Sequence, residues 1–123
     1  MNRIKIILLT CLAACSFSAI ADSPLRVTFD GAGCPTGVAS DGSCGDGSDR
    51  RDVACRNNNG PVRWAPVSQI GSVEAKYGGL HNCRAHPNQG YYQCIVRGNP
   101  GDAVEYSVFG VNGCEYDPVI IIR

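Results

Sequence analysis

Six cysteines, Cys34, Cys44, Cys55, Cys83, Cys94 and Cys114, lie beyond an apolar leader, and at least nine residues separate any two. Zinc sites and thiol-redox sites want close pairs of the C-x-x-C kind, and this spacing offers none. An even number of widely spaced cysteines in a short exported chain implies three disulfides formed in an oxidising compartment. A folding unit of about 100 residues has a thin hydrophobic margin. Three closed loops, at roughly 3 kcal/mol each, rival a typical net stability of about 5–15 kcal/mol.

One pairing follows from turn chemistry. His86-Pro87-Asn88-Gln89-Gly90 is a turn sequence, and Cys83 and Cys94 are equidistant from its centre. In a hairpin folded there they face each other across the strands. Cys34 and Cys44 share one Gly/Asp-rich segment and are expected to close it locally, which leaves Cys55 for Cys114.

Export is read from residues 1–21. Arg3 and Lys5 precede the apolar run Ile6 to Ala14, and small residues follow. That is a signal peptide, too short to span a membrane, which takes about 20 apolar residues. Two processing sites compete. Ala19-Ile20-Ala21 releases the chain at Asp22, whereas Leu12-Ala13-Ala14-Cys15 matches a lipobox, with a signal at 1–14 and Cys15 lipidated. The first predicts a periplasmic or secreted protein, the second an outer-membrane lipoprotein that touches the membrane only through Cys15. The mature part, 22–123, is expected to be one domain.

Short alternating segments run through that part. Leu25 to Phe29, Asp52 to Arg56, Val62 to Trp64, Val73 to Tyr77, Leu80 to Cys83, Tyr91 to Arg97, Val104 to Val108 and Tyr116 to Arg123 read as strands. Asn59-Gly60 and Asn112-Gly113 are hairpin signals, and Asn99-Pro100-Gly101-Asp102 reads as a type II turn. Val119 to Ile122 is continuously apolar, as in a centrally paired strand. Residues 30–52 form a long Gly/Asp-rich loop. The pattern predicts an all-β fold, a small antiparallel β-sandwich or barrel of seven or eight short strands. Its expected core is Val27, Phe29, Val53, Trp64, Val73, Tyr77, Ile95, Val104, Tyr106, Val108, Ile120 and Ile122.

The order Val62-Arg-Trp64, Tyr106-Ser-Val108, Gly113 and Asp117-Pro118-Val-Ile-Ile-Ile122 resembles small exported bacterial β-sandwich proteins, cupredoxin-like or Ig-like in fold. They end in a Tyr-x-Val strand, a Gly turn and an Asp-Pro-x-Ile-Ile strand. The resemblance implies a fold and no activity. Type 1 copper needs two histidines, a free cysteine and usually a weak axial methionine. Here the only methionine is Met1, and His81 and His86 flank a cysteine expected in a disulfide.

Of eleven basic residues, Arg3 and Lys5 fall in the leader, leaving nine against eleven acidic ones, a net charge of about −2. That argues against nucleic acid, which selects a basic excess. No nucleophile elbow or marked carboxylate pair points to catalysis, so no enzyme activity and no obligate cofactor are expected. Asp41, Asp46, Asp49 and Asp52 are a calcium candidate, out of register with an EF-hand. Tyr91, Tyr92, His86 and Asn88 are the candidate binding surface; adjacent Tyr91 and Tyr92 must point to opposite sheet faces. The chain is therefore expected to be a non-enzymatic binding domain of the envelope or secretome whose partner is another protein, for example as an inhibitor or envelope factor. The alternatives are a small secreted enzyme or toxin-like effector, and a calcium- or carbohydrate-binding accessory module.

Overall fold

The computed structural model describes residues 23–39 and 53–123. These form ten strands: β1 (Leu25–Phe29), β2 (Pro35–Ala39), β3 (Val53–Arg56), β4 (Pro61–Ala65), β5 (Ile70–Ala75), β6 (Leu80–His86), β7 (Tyr91–Val96), β8 (Ala103–Gly110), β9 (Glu115–Tyr116) and β10 (Val119–Ile122). A 3-10 turn at Val67–Gln69 precedes β5. The first sheet has the order β2-β1-β4-β7-β6, the second β3-β10-β8-β5 with β9 also on β8. The expected β-sandwich is thus present, with two differences. Two strands were missed: β2, inside the supposed Gly/Asp loop, and β9, only two residues long. Each sheet also contains one parallel pair, β1–β4 and β3–β10, among otherwise antiparallel neighbours.

The parallel pairs trace to one turn. Gly60 N–H donates to the Asn57 carbonyl, and Asn59 takes a left-handed φ of 64°, so the Asn-Gly turn is real. Yet β3 and β4 do not pair. The turn carries the chain from the second sheet into the first, and each strand finds partners remote in sequence. The other turns behave as expected. Asp102 N–H donates to the Asn99 carbonyl at 2.9 Å, and Gly101 has φ 95°, as position three of a type II turn requires. Gly113 closes the β8–β9 hairpin.

Side chains from both sheets fill one core. Leu25, Val62, Trp64, Cys94 and Val96 face Val73, Tyr106, Val108, Ile120 and Ile122. Trp64 and Tyr106 join the layers: their rings lie 5.2 Å apart, and the indole Nε1–H donates to the tyrosine oxygen at 2.9 Å. The apolar run β10 lies between β3 and β8, as its composition predicted. Four expected core positions are corrected. Tyr77 is 83% exposed, because β5 ends at Ala75 and the chain turns at Gly78-Gly79. Ile95 and Val53 are half-buried, since β7 buries Cys94 and Val96 and β3 buries Ala54. Phe29 packs only on the rim of the core.

Cys83–Cys94 forms as predicted, with Cα atoms 4.1 Å apart. The tip pairs His86 with Tyr91, so both cysteines keep their equal distance from it. A bulge between His81 and Arg84 follows, with Asn82 at φ 53°. The other two predicted pairings are overturned, because Cys34 bonds Cys114, with Cα atoms 5.2 Å apart. The reason is β2: it carries the chain away from Cys34 along the sheet edge, while the β8–β9 turn brings Cys114 alongside. Asn112 Nδ2 donates to the Ala32 carbonyl beside that bridge. Cys55 is disulfide-bonded as well, to a partner outside the described residues. Cys15, Cys44 and the calcium candidates Asp41, Asp46, Asp49 and Asp52 also lie outside them. The disulfides fit an oxidising, extracytoplasmic environment. No described helix is long and apolar enough to cross a membrane.

Candidate functional site

Residues opposite one another on paired strands share a sheet face. With Val62 and Trp64 turned inward on β4 and Cys94 and Val96 inward on β7, the outer face of the first sheet follows from register. One row runs Ala39, Arg26, Ala65, Tyr91, His86. The next runs Arg63, Gln93, Arg84, and a third Pro61, Ile95, His81. None of the five strands contains Asp or Glu. Among the described residues, no carboxylate pairs with Arg26, Arg63 or Arg84.

Arg63 is the organised centre of this face. Its Nε donates to Gln93 Oε1 at 2.8 Å, and its guanidinium carbon sits 4.8 Å from the centroid of the Tyr91 ring. The guanidinium is placed over the ring and tethered at Nε, and neither terminal nitrogen has a partner among the described residues. The His86 ring also lies beside Tyr91, with centroids 5.4 Å apart and planes tilted by 45°. Its Nε2 is buried and has no hydrogen-bond partner.

The structure brings two of the four sequence-predicted surface residues into this site. Tyr91 and His86 belong to it. Tyr92, on the opposite face of β7, packs against the core, and Asn88 is exposed at the hairpin tip. Sequence reasoning missed Arg63, Gln93, Arg26 and Arg84. The alternation around Trp64 already turns Arg63 outward, but its tether lies thirty residues away on β7.

A second polar cluster sits on the outer face of the other sheet. Ser107, 3% exposed, points its hydroxyl between Glu115 Oε2 and Asp117 Oδ1. Lys76 Nζ lies 3.1 Å from Asp117 Oδ2. That ammonium, and then the Ser107 hydroxyl, hold the Asp117 carboxyl below its ordinary 3.8. The hydrogen bond to Asp117 raises Lys76 above 10.5. A nucleophile needs access and an oriented base; the Ser107 oxygen is covered and already shared between two carboxylates. The cluster ties β9 and β5 onto β8. Among the described residues, no group of three His, Cys, Asp or Glu side chains is placed to hold a metal ion.

Comparison with known proteins returns no matching family model, no matching curated protein and no matching solved structure.

Proposed function

We propose that this chain is an exported binding domain that engages another protein through the outer face of its first sheet, centred on Arg63 and Tyr91. The observation that carries the reading is the Arg63 assembly. A guanidinium stacked on an aromatic ring and tethered at Nε has lost its side-chain freedom before any partner arrives, so docking costs less entropy. Arg and Tyr are also the residue types that dominate binding energy at protein interfaces. The periplasm or the extracellular medium is its proposed location, with anchoring through Cys15 as the lipoprotein alternative. Blocking lipoprotein processing distinguishes them: a larger precursor accumulates only if Cys15 is acylated.

The test of the binding face is affinity capture with the disulfide-bonded protein from periplasmic and secreted fractions. Wild type is expected to retain a partner that Tyr91→Ala loses, with both proteins showing the same circular dichroism. Equal capture by the two proteins would end the reading.

A further inference from the structure

The two outer faces of the sandwich carry opposite charge. The first sheet presents Arg26, Arg63 and Arg84 with no acid on any strand. The second presents Glu74, Glu105, Glu115 and Asp117, all exposed, with Lys76 paired to Asp117. The near-neutral total hides this segregation. Resting on the binding face proposed above, we infer that the partner's contact segment is an acidic peptide whose carboxylates dock on Arg63, Arg84 and Arg26.

Three observations select this occupant. The guanidinium fork matches a carboxylate, and the terminal nitrogens of Arg63 have no competing acid among the described residues. Arg63 lies over the Tyr91 ring, so a sugar stacking on that face would have to displace it. The spacing fits an extended chain. Arg63 and Arg84 lie in one row with Gln93 between, two strand spacings or about 9–10 Å apart at Cα. Arg26 lies one strand over and two residues along, about 8 Å from Arg63 at Cα. An extended peptide advances about 3.3–3.6 Å per residue, so carboxylates every third residue meet the arginines in turn.

The experiment is fluorescence anisotropy at low ionic strength with a labelled peptide of repeating Glu-Ala-Ala units. A Lys-Ala-Ala peptide and an oligogalacturonate serve as competitors. The glutamate peptide is expected to bind, the lysine peptide and the glycan to compete poorly, and Arg63→Gln to weaken binding at least tenfold, roughly the worth of one hydrogen-bonded charge contact. Arg63→Lys, which keeps the charge but loses the fork, is expected to fall between. Unchanged affinity in Arg63→Gln, tighter binding of the glycan, or salt-sensitive self-association without peptide binding would each overturn the inference. Capture of the native partner separates the two levels. If capture needs Tyr91 but tolerates Arg63→Gln, the acidic peptide is wrong and the face stands. If both variants capture normally, the face itself is wrong.

Discussion

Trp64 and Tyr106 each belong to a different sheet, and their contact is both a ring packing and a hydrogen bond. Tyr106→Phe leaves the volume in place but strips the buried indole N–H of its acceptor. An unsatisfied buried donor costs about 1–3 kcal/mol, so the unfolding free energy should fall by that amount, seen as a lower urea midpoint with an unchanged slope. Ser107 acts on charge instead of packing. Ser107→Ala removes one of the hydrogen bonds that lower Asp117, and its titration midpoint, followed by NMR, should rise toward 3.8. The sense of the pH dependence follows. The lowered Asp117 stabilises the fold above its ordinary value, and that contribution is lost as pH falls through the lowered one. The raised Lys76 contributes below 10.5 and ceases to as pH rises through its raised value. Both side chains are solvent-exposed, so the effect belongs to the titration curve more than to the melting temperature.

At the scale of elements, the two disulfides with both cysteines among the described residues should separate in strength. Cys83–Cys94 closes a sequence separation of 11 and Cys34–Cys114 one of 80. Loop entropy assigns about 3 kcal/mol to the first and about 4.5 kcal/mol to the second. Replacing each pair by alanine and comparing urea midpoints checks the order; a larger loss from the hairpin pair would refute it. The same two bridges show what the sequence disclosed. Cys83–Cys94 was legible because a hairpin is a local object: its turn fixes its register. The Gly101 and Gly113 turns were legible on the same ground. Cys34–Cys114 was not, because it depends on which strands meet across the sandwich. The Asn59-Gly60 turn failed in an instructive way. Its chemistry was read correctly, but turn chemistry does not say whether the two flanking strands share a sheet. The site divides similarly. Tyr91 outside and Tyr92 inside follow from strand alternation alone, whereas the meeting of Arg63 with Gln93 and Tyr91 needs the β4–β7 pairing.

The whole molecule is a slab with a basic and an acidic side. Sheets pack about 10 Å apart, more than the roughly 8 Å over which charge is felt at physiological salt. The sides should therefore act independently in that medium. Glu74→Gln combined with Glu105→Gln is expected to leave acidic-peptide affinity at physiological ionic strength within about twofold of wild type. At low salt, where screening reaches about 30 Å, the same double substitution should strengthen binding. Anisotropy titrations at two salt concentrations read both outcomes.

Pulled at Ser23 and Arg123, this domain would lengthen far less than the contour of its chain allows. The Cys34–Cys114 bridge short-circuits the path of force: tension entering at β1 crosses to the β8–β9 turn and leaves through β10. The chain between the two cysteines lies outside the covalent path of force, Arg63 and Arg84 of the binding face included, whereas Arg26, on β1, lies within it. Of the described residues, only Ser23 to Gly33 and Glu115 to Arg123 lie outside the bridge, about 20 residues that could unravel by roughly 70 Å at 3.5 Å per residue. Reduction of that one bond would release several times as much chain. A partner held at Arg63, Tyr91 and Arg84 would therefore sit off the covalent path of tension as long as this bypass holds.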